Sequence, residues 1–247
     1  FLEYQPQISL TDEHLEGFEA LVRWRHPTLG PIGPYRFIPL AEETGFIVEL
    51  GRWVLQTACR EAATWDDVGE AALSVSVNIS ARQLDSDSLV ADVESALADS
   101  GVDPSRLVLE VTESILMVDP KRTALALSKL RAMGIRIAID DFGTGYSSLG
   151  YLHQFPVDIL KIDKSFVDPL ADATEEGAAF VQMILRLARD LRVTTVAEGV
   201  ESGVQRDALT RLHCHSAQGY LISRPLPVER VREFIDHQPP TRRQRLA

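Results

Sequence analysis

Asp140 and Asp141 stand side by side after an alternating β-branched run, Ile135-Arg136-Ile137-Ala138-Ile139, and a loop rich in glycine and hydroxyls follows at once over 142–148. Adjacent carboxylates repel one another and are costly to desolvate unless a cation lies beside them. The pair reads either as a solvated turn or as a divalent-metal site. The two readings differ in whether other strands also end in oxygen donors, and they do. Glu19 lies in a strand-like run over 17–24, Asn78 ends the run 74–79, and Glu110 falls near the end of the run 107–112. Lys161 lies near the end of 157–162, Glu198 follows 193–197, and Gln218 sits in 217–221. Carboxylates with an amide form an all-oxygen set suited to Mg²⁺ or Mn²⁺, whereas zinc prefers Cys and His. Lysine is scarce, at 121, 129, 161 and 164 only, so a lysine at a strand end stands out.

Eight such strands are needed to position these side chains, and the chain supplies them. Runs at 2–9 and 17–24 are joined by a short polar segment, too short for a parallel crossover, which makes this pair an antiparallel hairpin. Residues 25–50 are irregular with a helical pattern over 37–44, and a helix follows at 52–65. Further helical patterns cover 86–99, 120–133, 175–191, 202–212 and 228–234, with a short helical piece at 149–153. Asp119-Pro120 reads as a helix start and Gly134 as a stop. Eight strands with helices between nearly all of them favour a closed (β/α)8 barrel, modified by one antiparallel strand, over an open doubly wound sheet. Active sites of such barrels gather at the mouth where the parallel strands end, so the polar residues above should meet there.

The 247 residues suit one domain over 1–240, with a basic, polar tail at 241–247 expected to be disordered. A net charge of −11 argues against DNA, RNA or an anionic membrane as partners, so an anionic substrate needs a local reversal of sign. Cys59 and Cys214 have no metal-ligand spacing and read as two reduced thiols of a cytoplasmic protein. No apolar run reaches the roughly 18–20 residues of a membrane span. Strand-like sequence begins at Phe1, the pattern of a domain within a longer protein, in which a sensory or membrane-anchoring part would lie upstream.

The chain also resembles the EAL family of cyclic di-GMP phosphodiesterases. The resemblance rests on Glu19-Ala20-Leu21 within 17–24, Ser76-Val77-Asn78-Ile79-Ser80, Glu110-Val111-Thr112-Glu113 and the stretch 140–148. It continues through Leu160-Lys161-Ile162-Asp163, the stretch 196–201 and Ala217-Gln218-Gly219-Tyr220. The three-letter motif alone is unspecific, but seven ordered motifs at barrel-strand spacing are not. The resemblance implies a TIM-like barrel that linearises cyclic di-GMP to 5′-pGpG with two Mg²⁺ or Mn²⁺ ions, Ca²⁺ being inhibitory. It implies Glu19, Asn78, Glu110, Asp140 and Asp141 as metal ligands, with Asp140 bridging. Lys161 would hold the attacking water or offset phosphorane charge, and Glu198 and Gln218 would position metal, water or substrate. Arg23 would hold a phosphate oxygen and Gln5 would touch the substrate. The loop 142–148, anchored by Glu113, would couple homodimerisation to metal binding.

Two other functions stay open at this point: a catalytically silent cyclic di-GMP receptor, and a barrel hydrolase of another phosphodiester. Arg23 could equally pair with Glu19 or a neighbouring acid. His213 and His215 around Cys214 read as packing, His26 as a turn former, and Asp12-Glu13 and Asp66-Asp67 as solvated faces. Phe37, Phe46, Trp53 and Trp65 read as core residues.

Overall fold

The computed structural model describes residues 1–65, 72–144, 153–172 and 174–238. Leu2–Ser9 (β1) and Leu15–Val22 (β2) form the expected hairpin, with Gln5 opposite Glu19. β2 starts and ends two residues earlier than its hydrophobic pattern implies. Trp24 opens a separate small hairpin of β3 (Trp24–His26) and β4 (Gly30–Ile32), strands too short for alternation to reveal. The turn between them is shaped by His26, whose Nδ1 accepts from the amides of Thr28 and Leu29, each at 3.2 Å.

The remaining elements alternate. Helices α1 (Pro34–Thr44) and α2 (Ile47–Ala62) precede β5 (Ser74–Asn78), and α3 (Ala81–Leu84) and α4 (Leu89–Ser100) precede β6 (Leu107–Thr112). Then come α5 (Glu113–Leu116), α6 (Pro120–Ala132), β7 (Arg136–Phe142), β8 (Ile159–Ile162), α7 (Lys164–Val167) and α8 (Glu175–Leu191). The chain closes with β9 (Thr194–Ala197), α9 (Gly203–Arg211), β10 (Ser216–Gln218), β11 (Leu226–Pro227) and α10 (Val228–Asp236). Local chemistry fixes the helix ends. Asp119 accepts from the Arg122 amide ahead of Pro120, and Ser80 and Ser202 each form a reciprocal capping box with the glutamine three residues on. Among the described residues no helix is long and apolar enough to cross a membrane. The expected helical piece at 149–153 and the tail at 241–247 lie outside the described residues or at their edge.

The strand order β10-β9-β8-β7-β6-β5-β2-β1 is closed by pairing of β1 with β10, giving an eight-stranded barrel. β1 is antiparallel to both neighbours and the other seven strands run parallel, as the short first connection implies. β11 pairs with β1 outside the closed ring.

Alternation sorts each strand into two faces. Leu109, Val111, Ile137, Ile139, Leu160 and Ile162 face the helices and join the main core. Val108, Ala138, Ile159 and Val196 form a separate cluster that plugs the barrel interior. Each buried aliphatic side chain contributes about 1.5–3 kcal/mol through removal from water. Two residues on from these four, on the same inward face, stand Glu110, Asp140, Lys161 and Glu198. The apolar plug is thus the floor on which the polar residues sit.

Of the aromatic residues expected in the core, Phe37 and Trp65 are buried, and Trp65 meets Phe18 with ring centroids 4.9 Å apart. Phe46 and Trp53 are instead 55% and 38% exposed. They line a cleft of about 420 Å³ together with Phe1, Trp24 and Leu40, beyond the end of β2 at Val22.

Candidate active site

Strict alternation would send Asp140 and Asp141 to opposite faces of β7. The β7–β8 register instead slips between Ile139 and Phe142, and Asp141 adopts φ +53°. This left-handed conformation is uncommon outside glycine, but aspartate tolerates it because its side chain bonds locally. The Asp141 amide donates to Asp140 Oδ1 at 3.0 Å, and Thr144 Oγ1 donates to the Asp141 carbonyl at 2.8 Å. The kink brings both carboxylates to the mouth. Asp140, Asp141 and Glu198 there offer oxygens all within 4.8 Å of one another, close enough to share one cation.

Lys161 is the hub of the rest. Its side chain is 1% exposed, and Nζ lies 2.6 Å from Glu110 Oε2, 2.7 Å from Glu198 Oε1, 3.3 Å from Asp140 Oδ1 and 3.4 Å from Glu19 Oε2. Glu19 is held from both sides, as Asn78 Nδ2 donates to Oε1 at 2.8 Å and Gln218 Nε2 donates to Oε2 at 2.7 Å. Behind Gln218 a chain of amides continues. Its Nε2 also reaches Gln5 Oε1 at 3.0 Å, Gln7 Nε2 donates to its Oε1 at 2.8 Å, and Gln5 Nε2 reaches the Ser223 carbonyl at 3.2 Å. Gln7 escaped the sequence reading. The signal was its place two residues from Gln5 on the inward face of β1.

The electrostatics follow from crowding five acids around one ammonium. Burial pulls the Lys161 pKa down, but Glu110, Glu19, Glu198 and Asp140 more than offset it and hold it well above the usual lysine range. Burial drives Glu110 well above the usual carboxylate range, with Glu19 and Asp140 adding to the push and Lys161 opposing it. Burial also lifts Glu198 to about 8 and, with the Asp140 charge, raises Asp141. Glu19 goes the other way: burial is outweighed by Lys161 and by the bonds from Gln218 and Asn78, which hold its carboxylate below the usual range. Raised carboxyl groups mark negative charge in want of positive charge, and the donors are all oxygen. The residues therefore fit hard divalent cations.

Two expected positions lie at the rim. Glu113, buried at the start of α5, accepts the Gly143 amide on Oε2 at 3.0 Å, so it meets the glycine-rich loop where that loop leaves β7. Thr144 is the last described residue before position 153, and the rest of that loop lies outside the description. Arg23 pairs with a neighbouring acid, its Nε 2.8 Å from Glu3 Oε2. Two clefts open near this end of the barrel, and Glu19 lines the smaller. One, of about 500 Å³, is lined by Leu21, Arg23, Pro34, Ile47, Asn78 and Ile115. The other, of about 280 Å³, includes Gln5, Glu198, Gly199, Gln218 and Tyr220. Next to the buried Cys214, whose thiol lies 3.4 Å from the Ser216 carbonyl, His215 Nδ1 lies 3.0 Å from Thr195 Oγ1.

A family model described as the EAL domain matches residues 1–225. The chain belongs to the EAL domain family. The EAL triplet, Glu19-Ala20-Leu21, puts its glutamate inside the barrel and its alanine in the helix-facing core. The chain is 48% identical over 230 residues to the bifunctional diguanylate cyclase/cyclic di-GMP phosphodiesterase MucR of Pseudomonas aeruginosa, covering 93% of this chain and 33% of MucR. It is 45% identical over 246 residues to the cyclic di-GMP phosphodiesterase NbdA of the same organism, covering 98% of this chain and 31% of NbdA. The chain thus spans about a third of the length of these relatives. The solved PaMucR phosphodiesterase in complex with cyclic di-GMP superposes with a TM-score of 0.88 at 48% identity, covering 94% of this chain and 93% of that one.

Proposed function

We propose that this EAL domain hydrolyses cyclic di-GMP to linear 5′-pGpG. Water attacks one phosphorus, the P–O3′ bond breaks, and the departing 3′-oxygen takes up a proton. The observation that carries this reading is a buried lysine ringed by four carboxylates at the mouth of a barrel whose close relative is a cyclic di-GMP phosphodiesterase.

Glu19, Asn78, Glu110, Asp140 and Asp141 are the residues that would hold two Mg²⁺ or Mn²⁺ ions. Such a pair, when bound, lowers the pKa of its water and clamps the attacked phosphate. The protein residues do the rest. The Lys161 ammonium, fixed by Glu110 and Glu198, sets a positive charge where the phosphorane accumulates negative charge. Glu198, beside Lys161, and the Gln218–Gln5 amide pair, bound to the same Glu19 oxygen, orient water and substrate. Arg23 exchanges Glu3 for a phosphate oxygen of the nucleotide, an anion its guanidinium fork fits as it does a carboxylate.

The loop that Glu113 anchors would couple a homodimer to metal binding. The parent protein would carry further regulatory domains, consistent with relatives about three times as long. Two unpaired, buried thiols accord with work in the cytoplasm. The test is incubation of the purified domain with cyclic di-GMP and Mg²⁺, with chromatographic separation of the nucleotides. We expect pGpG with Mg²⁺ or Mn²⁺ and none with EDTA or Ca²⁺. Intact cyclic di-GMP under all four conditions would overturn the assignment.

A further inference from the structure

The amide chain beside Glu19 has a direction, and its two ends fix it. Glu19 Oε2 faces the Lys161 ammonium at 3.4 Å and, as a carboxylate oxygen, only accepts. The Gln218 atom 2.7 Å away from it is therefore the donor Nε2. A backbone carbonyl also only accepts, so the Gln5 atom 3.2 Å from the Ser223 carbonyl is Nε2. That leaves Gln5 Oε1 to accept from Gln218 Nε2 at 3.0 Å. Both protons of Gln218 Nε2 are then committed, and Gln218 Oε1 is turned toward Gln7. Position 7 has to bring a donor, and Gln7 Nε2 does so at 2.8 Å.

The placement of Gln7 suits it to this one task. On β1 it stands opposite Gln218 of β10 on one side and Gly17 of β2 on the other. A Cβ at Gly17 would collide with the Ser74 backbone, so that neighbour supplies no side chain. Gln5, Gln7 and Gln218 are all buried. The two orientations of the Gln218 amide have the same shape, so packing does not choose between them and hydrogen bonding does. Turned over, the amide would set its oxygen against Glu19 Oε2 and Gln5 Oε1, leaving three buried acceptors facing one another. The Gln7 donor is what makes the productive orientation the stable one.

We propose that Gln7 is a positioning residue that sets the amide polarity of Gln218 and, through it, the placement of the Glu19 carboxylate. Its effect on turnover rests on the cyclic di-GMP reading above; the polarity itself does not. Gln7 lines neither cleft at the mouth and acts only through Gln218. Without its donor, Gln218 Oε1 is a buried acceptor with no partner and the amide is free to turn. Glu19 then loses the bond on Oε2 that balances the Asn78 bond on Oε1.

The experiment compares Gln7→Met, which keeps the length and removes the donor, with Gln7→Lys, which keeps a donor and removes the amide. Nuclear magnetic resonance of the Gln218 side-chain amide protons, identified by their loss in Gln218→Met, reads the polarity directly. In the wild type both protons are bonded and should exchange slowly with solvent. Gln7→Met should shift these signals, speed their exchange and lower kcat/KM for cyclic di-GMP with Mg²⁺ about tenfold, the effect of one unpaired buried acceptor. Gln7→Lys should keep exchange slow and kcat/KM within about threefold of the wild type. A role in packing alone predicts the opposite order, because methionine suits a buried site better than an ammonium. Gln7→Leu repeats the loss of the donor with a second shape, and urea midpoints check that each variant is folded. Slow exchange preserved in Gln7→Met and Gln7→Leu, or a Gln7→Lys as impaired as Gln7→Met, overturns the proposal. A wild type that never cleaves the nucleotide overturns the phosphodiesterase reading instead, and the Gln218 signals still decide the role of Gln7.

Discussion

Lys161 contributes both stability and charge balance, and these can be separated. Its ammonium is the internal counterion for Glu110, Glu198, Asp140 and Glu19. Removing one partner of a buried ion cluster leaves uncompensated charge and costs about 3–5 kcal/mol. Lys161→Met should show that loss in urea denaturation with EDTA present. Because a ligand that binds only the native state stabilises it, Mg²⁺ should raise the midpoint of Lys161→Met more than that of the wild type. Glu19→Ala differs: it removes a carboxylate and leaves the Asn78 and Gln218 amides without their acceptor. Turnover of cyclic di-GMP by the purified variant should fall below detection, and hydrolysis at the wild-type rate would refute its role. Most of these residues are legible in the sequence because each is a polar residue at an inward strand position. What the sequence could not show is that one lysine reaches four acids from four different strands, or that Gln7 joins the amide chain.

At the level of elements, period two does most of the positioning and fails at one informative place. Alternation puts Glu110, Asp140, Lys161 and Glu198 each two residues above the apolar plug, but only the bulge at Asp140–Asp141 brings the second aspartate inward. A bulge leaves no hydrophobic signature, and neither do the three-residue strands β3 and β4, so both were invisible from pattern alone. The turn after β10 is another such device. In Gly219→Ala the new methyl meets the Val200 backbone, which cannot move without disturbing the Val200–Gln218 and Leu221–Val200 bonds. Overpacking of this kind costs about 1–3 kcal/mol. We expect a lowered denaturation midpoint together with a raised KM, since Gln218 and Tyr220 lie on either side of the glycine. A variant with unchanged stability and unchanged KM would mean the turn has slack that its contacts do not show.

The barrel as a whole was readable because eight strand signals at helix-separated spacing leave few closures, and the short first connection fixes which strand runs backwards. The exposed cleft at Phe46 and Trp53 was not readable, since a helical pattern does not say what its apolar face meets. Closure of the ring by β1 and β10 also makes the molecule's two thiols probes of a single transition. Cys59 sits in α2 on the outer wall, and Cys214 lies just before β10, and both are buried. Burial pushes the Cys59 thiol up to about 12 and the Cys214 thiol up to about 11. A thiol whose folded pKa exceeds its unfolded value, about 8.5, favours folding fully below that value. That contribution is lost as pH rises from there through the folded pKa, so stability should decline above about pH 8.5. At pH 8 a disulfide-exchange reagent should label neither cysteine in the native protein and both in denaturant. Under partly denaturing conditions, cooperative unfolding of a closed barrel requires both thiols to label at one common rate, slowed equally by Mg²⁺ with cyclic di-GMP. Mass spectrometry of the labelled peptides separates the two sites. Faster labelling of Cys214 alone would show that the β9–β10 side opens without the rest, and would place the loosest seam of the barrel beside Gln218 and Glu198.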